Sequence, residues 1–223
     1  SVKSFQSEEE LERLEREFFD SLQTLHIIEL LRKMDAVFGE KYYALKDMGK
    51  SVSIANDSAV PQVYRFIVPN GGIYIYPELP KEEAEVVFAL DCPTLDRLGK
   101  TRECIPKDAK IINIDHHISN ENFGNINVVT DDVCATGEIL LSILKELKVK
   151  ISPDIATALY VAILTDTGRF THTNTTPEAL RAAAFLIECG ARHNEVTKNV
   201  YNTNSFNQIQ LNAHVLNTVK LHL

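Results

Sequence analysis

Three apolar segments of the chain each end at an aspartate. The runs VVFALD, IINID and ATALYVAILTD stop at Asp91, Asp115 and Asp166, and two histidines, His116 and His117, follow the second run. A carboxylate or an imidazole at the end of a buried segment is costly unless a charged partner, a metal ion or a phosphate group balances it. Because elements of an α/β fold deliver such ends to one edge of the sheet, we predict a single site there.

The order of the segments predicts an α/β fold, with a mostly parallel sheet flanked by helices. After residue 50, short strand-like runs alternate with helical patterns, as expected for a sheet that is covered on both faces. The predicted strands are 51–55, 85–90 and 110–114. The predicted helices are about 137–147, the run from the N-cap Ser152 to Asp166, 177–188, and the remainder to about residue 218.

The first part of the chain reads as a helix over residues 8–34. Apolar residues recur there at three- and four-residue steps between acidic and basic positions. We therefore expect an N-terminal helical segment, residues 1–34, before an α/β domain over residues 35–223. The apolar stripe of the helix is expected to pack in the core, and the alternative is a helix that docks a partner or supports a homodimer.

Composition and charge exclude several classes of protein. With 23 basic and 31 acidic residues, the net charge is −8, which argues against wrapping a long nucleic acid but not against small phosphorylated substrates. No apolar stretch approaches the ~20 residues that cross a bilayer, and the acidic amino end is unlike a signal peptide. The four cysteines share no CxxC spacing, which favours reduced thiols. We expect a cytoplasmic protein without membrane contact.

The acidic and imidazole side chains suit a metal site that is rich in oxygen ligands. Asp91, His116 and Asp166 are the candidate ligands, and Asp91 could bridge two ions. Such a set favours Mn²⁺ or Mg²⁺ over zinc. Two ions about 4 Å apart would polarise a phosphoryl group and activate water. His117 is the candidate contact to a substrate phosphate or leaving group, and Asp115 would orient an imidazole through its other ring nitrogen.

Each of these residues also has an ordinary structural interpretation. An aspartate after an apolar run is often a helix cap or a turn former. Adjacent histidines in an extended segment point to opposite faces, so one of them could be a hydrogen-bonded core residue. His193 and His214 have no comparable carboxylate neighbours in the sequence and are interpreted as surface or packing residues.

The motifs resemble those of the DHH phosphoesterase superfamily. The DHH triplet stands in IINIDHHISNENFG, followed by ATGEI and by TALYVAILTDTGRFTHTNTTPEAL. The sequence is most similar to the branch of oligoribonucleases and pAp phosphatases, the nano-RNases. This resemblance implies a hydrolase with two manganese ions that removes mononucleotides from very short RNA or DNA and dephosphorylates 3′-phosphoadenosine 5′-phosphate (pAp).

The resemblance also implies roles for single residues. The implied metal ligands are Asp91, His116 and Asp166. The implied catalytic residues are Asp115 and His117. The residues in segments that match substrate-binding positions are His117, Asn120, Arg169 and His172. Among these, the guanidinium of Arg169 is suited to binding phosphate.

The first motif of the family is missing from the position where the resemblance places it. Members open with a strand and a loop of the type HxNPDGDAxGS, whose histidine and two aspartates complete the metal site. Here a strand is predicted to end at Phe38 and a helix to begin at Gly39, without a loop. Either about 15 loop residues are absent between them, or the loop is deleted and the protein is a nucleotide-binding or scaffold module without catalysis. Asp35 is interpreted as a helix-end residue.

The carboxyl end departs from the family as well. The sequence stops at Leu223, where members continue into a smaller substrate-binding domain with a GGGH-type loop. No such sequence follows here, so either the chain is a fragment or that domain lies outside the numbering, and the residues as they stand are expected to bind substrate weakly and with reduced specificity.

Overall fold

The computed structural model describes residues 24–29, 51–68, 73–78, 84–203 and 206–219, the first of these ranges by its backbone alone. The strands in these ranges are β1 (Thr24–Glu29), β2 (Ser51–Asn56), β3 (Tyr74–Ile75), β4 (Val86–Leu90), β5 (Lys110–Asp115) and β6 (Ile126–Val129). The α-helices are α1 (Thr136–Glu146), α2 (Pro153–Asp166), α3 (Pro177–Glu188), α4 (His193–Tyr201) and α5 (Phe206–Leu216). Two 3₁₀ segments, Gln62–Ile67 and Leu95–Cys104, complete the elements of these ranges.

The strands form one parallel sheet in the order β3-β2-β1-β4-β5-β6. The order changes direction between β1 and β4, the position at which open α/β sheets form a crevice beyond the carboxyl ends of their strands. Ligands of open α/β sheets bind in such crevices. The predicted α/β fold, a mostly parallel sheet flanked by helices, is confirmed.

Strand β1 corrects the predicted N-terminal helix. Residues 24–29 fall within the helix predicted over 8–34, yet they form a strand that pairs with β2 on one side and β4 on the other. The helix prediction is therefore wrong for these six residues. A central strand of a parallel sheet reads as a short apolar run without alternation, which periodicity cannot distinguish from a helix. The rest of the predicted helix lies outside the described residues.

The position of β1 also removes the reason for ending the first strand at Phe38. Because β1 ends at Glu29, residues 30–50 connect it to β2, a length that a parallel crossover requires. Asp35 therefore lies after β1 in the chain. The junction of Phe38 and Gly39 lies outside the described residues, so the two alternatives for the loop stay predictions. The division of the chain at residue 35 also stays a prediction, although residues 24–29 belong to the sheet.

Alternation along β4 divides the core between the two faces of the sheet. Phe88 and Leu90 are buried in the larger cluster, together with apolar side chains of α1, α2 and α3. Val87 and Ala89 are buried on the opposite face, in a smaller cluster that includes Leu98 of the second 3₁₀ segment. Every residue from Ile155 to Leu164 of α2 is buried. This helix therefore lies deep in the protein, and its last residue, Asp166, directly follows the buried stretch and Thr165.

The strands 51–55, 85–90 and 110–114 correspond to β2, β4 and β5 within one residue at each end. The predicted cap of α2 is also observed, since the Ser152 side chain accepts a hydrogen bond from the Ile155 N–H at 3.3 Å. The helical remainder is divided into α4 and α5. Strands β3 and β6 were not predicted. Among the described residues, no helix combines the length and hydropathy that a bilayer crossing needs.

Candidate active site

The ends of β4 and β5 place two of the aspartates side by side. Asp91 directly follows β4, and its N–H donates to the Ile114 carbonyl of β5 at 2.9 Å. Its backbone adopts a left-handed conformation, with φ of 53°. Asp115 is the last residue of β5. A non-glycine residue with a left-handed backbone, such as Asp91, is uncommon and marks sites where the surrounding structure imposes a conformation.

Three elements bring Asp91, His116 and Asp166 together. The His116 Nε2 atom lies 3.4 Å from Asp91 Oδ1 and 3.4 Å from Asp166 Oδ2. Asp166 reaches this point because it ends the buried helix α2. His117 completes the group, with Nδ1 at 3.9 Å from Asp91 Oδ1. The convergence expected from the sequence is therefore present in the structure, whereas the individual roles of these residues stay predictions.

These distances suit a divalent cation. Two ligand atoms that each lie about 2.1 Å from a six-coordinate ion are about 3.0 Å apart, close to the 3.4 Å separations around His116 Nε2. One potential ligand atom from each of Asp91, His116 and His117 lies within 4.8 Å of the others. The side chains of Asp91, His116 and Asp166 are 12–17% exposed, so an ion could enter the group. Carboxylates with imidazole match the donor set of Mn²⁺ or Mg²⁺ sites.

The same proximity shifts the protonation of the acid and the imidazole. Burial alone would raise the pKa of Asp91, but the hydrogen bond and charge of His116 and the hydrogen bond of Thr136 hold the pKa below its ordinary value. Burial alone would lower the pKa of His116, but the hydrogen bond and charge of Asp91 and the charge of Asp166 raise it. Without a metal, the two neighbouring carboxylates therefore favour the protonated form of His116.

His117 is oriented by a fully buried carboxylate. Its Nδ1–H donates to Asp115 Oδ1 at 2.7 Å, and the Asp115 side chain is 0% exposed. This hydrogen bond raises the pKa of His117 against the opposing effect of burial. Because Nδ1 is hydrogen-bonded to Asp115, Nε2 is the ring nitrogen that remains to contact a substrate. The His117 side chain is 37% exposed, so this nitrogen can be reached.

Two residues that hold the site were not singled out from the sequence. The Thr136 hydroxyl donates to Asp91 Oδ1 at 2.8 Å from the first position of α1. The Asn174 side-chain amide donates to the Asp166 carbonyl at 3.2 Å and to the Cys134 carbonyl at 3.0 Å. Thr136 lies in the ATGEI motif and Asn174 in the TNTT segment, but the sequence alone assigned no role to either residue. Asn174 therefore joins the end of α2 to the segment before α1.

The residues predicted to bind substrate differ in their positions. His172 donates from Nδ1 to the Asp166 carbonyl at 3.2 Å, so it supports the end of α2. Arg169 is exposed, and its guanidinium carbon lies 4.8 Å from the centroid of the Tyr201 ring. The turn that carries Arg169 has three consecutive left-handed residues, with φ of 54° at Gly168 and 63° at both Arg169 and Phe170. Asn120 points instead into the protein, where its amide donates to Asp115 Oδ2 at 2.6 Å.

Comparisons with known proteins identify relatives of this chain. The bifunctional oligoribonuclease and PAP phosphatase NrnA of Thermus thermophilus is 35% identical over 182 residues, which are 81% of this chain and 53% of that protein. NrnA of Bacillus subtilis is 28% identical over 152 residues, 67% of this chain and 48% of that protein. This chain therefore spans about half the length of these relatives.

A solved structure and a family profile extend the comparison. The crystal structure of an exopolyphosphatase-related protein from Bacteroides fragilis superimposes with a TM-score of 0.87 at 22% identity, covering 97% of this chain and 67% of that one. That likeness establishes the fold. The profile of the DHH family, N-terminal domain, matches residues 22–163. Since this match spans β1 to α2, with the DHH triplet at the end of β5, the chain belongs to the DHH family.

Proposed function

We propose that the chain is the catalytic part of a metal-dependent phosphoesterase that hydrolyses short oligonucleotides, pAp, or both. The observation that carries the proposal is the convergence of Asp91, His116 and Asp166, with His116 Nε2 at 3.4 Å from a carboxylate oxygen of each aspartate. The names of the NrnA relatives supply the substrates, and the family supplies the expectation of a metal. We propose two Mn²⁺ ions, with Mg²⁺ as the alternative.

The residues of the site would divide the work of hydrolysis. Bound divalent ions would polarise the phosphoryl group and lower the pKa of a water molecule. Asp91, His116 and Asp166 would hold these ions, with Asp91 as the bridge. His117, held by Asp115, would present Nε2 to a phosphate oxygen or to the leaving group. Arg169 would bind a further phosphate oxygen from its exposed turn.

A nucleotide-binding module without turnover is the second candidate. It is favoured by the sequence that follows β1, because residues 30–38, LLRKMDAVF, contain a single acid, Asp35, and no histidine. The family's first motif would supply a histidine and two aspartates at this point. A chain that lacks them would keep the ligands Asp91, His116 and Asp166 but would hold fewer ions.

Hydrolysis assays separate the two candidates. With Mn²⁺ added, the phosphoesterase releases phosphate from pAp, or a mononucleotide from a dinucleotide, and His116→Ala loses most of this activity. His214→Ala, a change on the exposed helix α5, is the matched control and retains it. The binding module would instead bind pAp in calorimetry without releasing product. Activity that survives in full in His116→Ala would remove the assigned metal site.

Location and assembly are further parts of the proposal. All four cysteines lie in the described residues and none forms a disulfide, which supports a reducing compartment such as the cytoplasm. The net charge of −8 supports small substrates over long nucleic acids.

The proposed homodimer was based on the helix predicted over residues 8–34. Six residues of that range, 24–29, form strand β1 instead. Sedimentation of the purified protein would test it.

A further inference from the structure

Two asparagine side chains lie directly behind the pair formed by Asp115 and His117. The Asn120 amide donates to Asp115 Oδ2 at 2.6 Å and to Asn113 Oδ1 at 2.8 Å. The Asn113 amide in turn donates to the carbonyls of Ala89 at 3.1 Å and Cys92 at 3.0 Å. Asn113 and Asp115 are both 0% exposed. A continuous hydrogen-bonded network thus connects the end of β4 to the carboxylate that ends β5.

The amide group of Asn120 is engaged with the protein on both sides. Besides the two side chains above, its nitrogen lies 3.3 Å from the Cys92 carbonyl oxygen. Its oxygen accepts the N–H of Asn122 at 2.7 Å. An asparagine amide has two donor hydrogens and one acceptor oxygen, so these partners occupy its hydrogen-bonding capacity. Little remains with which Asn120 could bind a substrate.

The network acts on the reactive imidazole through Asp115. One oxygen of the Asp115 carboxylate accepts the Asn120 amide, and the other accepts the His117 Nδ1–H at 2.7 Å. A carboxylate held at both oxygens fixes the ring orientation of the histidine and the nitrogen that carries its hydrogen. Loss of the Asn120 amide would leave Asp115 Oδ2 buried without that donor, and the carboxylate would be free to rotate.

We propose that Asn120 is a positioning residue that acts through Asp115 on His117, and not the substrate contact that the sequence suggested. The inference rests on the proposed function, because it concerns how His117 meets a substrate phosphate. Asn113 belongs to the same hydrogen-bonded network, because it accepts a hydrogen bond from Asn120 and donates one to the Cys92 carbonyl after β4. Positioning of this kind alters turnover more than substrate affinity.

A double-mutant cycle with His117 tests this inference. Asn120→Ala is expected to lower kcat about 10- to 100-fold with KM changed by about twofold or less. In a His117→Ala background, the same change should cost less than about twofold, because the residue it positions is gone. Asn199→Ala removes an exposed amide that donates to the Glu195 carbonyl on α4 and is the control expected to have no effect.

Three kinetic results would overturn the inference, two from the cycle and one from a further variant, Asn120→Asp. A rise in KM with kcat unchanged would make Asn120 a substrate contact. An equal loss in the presence and absence of His117 would make it a general structural residue. Asn120→Asp keeps the size of the side chain but replaces the donor by an acceptor, so it must also lose activity, and wild-type activity in this variant would contradict the role of the amide.

A structure of the metal-free Asn120→Ala protein gives a readout independent of turnover. We expect the hydrogen bond from His117 Nδ1 to Asp115 Oδ1, 2.7 Å in the wild type, to be broken or the ring to occupy several orientations. An unchanged ring position would overturn the inference. If the wild-type protein hydrolyses no phosphoester, the proposed function fails, while this structural comparison still decides whether Asn120 positions His117.

Discussion

The left-handed turn after α2 gives a test of how the position of Asp166 is maintained. Gly168 has φ of 54°, and a Cβ atom at this position would lie 2.3 Å from His172 Nε2. Gly168→Ala therefore carries two costs. A left-handed conformation disfavours an L-residue by about 1–2 kcal/mol. Displacement of His172 removes its hydrogen bond to the Asp166 carbonyl, worth about 1 kcal/mol. We expect the free energy of unfolding to fall by about 2–3 kcal/mol.

Gly190→Ala is the matched control for this variant. Gly190 is also left-handed, with φ of 94°, but its added Cβ would lie 3.3 Å from Pro153 Cγ, near the start of α2 and away from its Asp166 end. Its cost should be about 1–2 kcal/mol, mainly from the backbone, because the contact with Pro153 requires a shift of only a few tenths of an ångström. Both losses would be measured by thermal unfolding of the metal-free proteins. For a chain of this length, each kcal/mol corresponds to a shift in Tm of about 2–4 °C.

The two glycine variants should differ most in metal binding. Only Gly168→Ala disturbs the support of Asp166, so its Kd for Mn²⁺, measured by isothermal titration calorimetry, should rise about five- to tenfold, corresponding to about 1–1.4 kcal/mol. Gly190→Ala should bind Mn²⁺ as the wild type does. Equal Mn²⁺ affinity in the two variants would refute the argument that the turn holds a metal ligand in place.

Three other predictions concern the site itself. Thr136→Val removes the hydroxyl that donates to Asp91, so the pKa of Asp91 should rise and the affinity for Mn²⁺ should fall about tenfold. Thr136→Ser keeps the hydroxyl and should retain the wild-type affinity. Equal Mn²⁺ affinities of the two variants in calorimetry would argue against the contact. The pKa of metal-free His116 is raised, so protons compete with the metal for this imidazole below that pKa. The Kd for Mn²⁺ should therefore fall as the pH rises from about 6 to about 8. A Kd that does not depend on pH would contradict this. Arg169→Ala should raise KM for pAp about tenfold with kcat retained, and steady-state kinetics with an unchanged KM would exclude the predicted phosphate contact.

The parts of the structure that the sequence predicted are those with a local signal. Strands β4 and β5 are apolar runs that end at polar residues, and α2 begins with a serine cap and a proline. The site residues were recognisable for the same reason, because Asp91, His116 and Asp166 stand where buried segments stop. Hydrophobic periodicity and caps are properties of a few neighbouring residues, so they can be read without the fold.

The parts that were missed depend on contacts between distant residues. Thr136 and Asp91 are 45 positions apart, and Asn174 and Cys134 are 40 positions apart. No local sequence pattern predicts hydrogen bonds between residues so far apart in the chain. Strand β1 was assigned to a helix because its place in the centre of the sheet depends on pairing with β2 and β4. Tertiary pairing overrides local preference in such short apolar segments.

The crystal structure of the protein with Mn²⁺, with data collected at the manganese absorption edge, tests the central claim most directly. We expect an anomalous peak between the two strand ends and α2, about 2.0–2.6 Å from carboxylate oxygens of Asp91 and Asp166 and from His116 Nε2. His116→Ala should lose this peak or reduce it strongly. At saturating Mn²⁺, a wild-type map with no peak among these three side chains would contradict the proposed metal centre, and with it the proposed phosphoesterase.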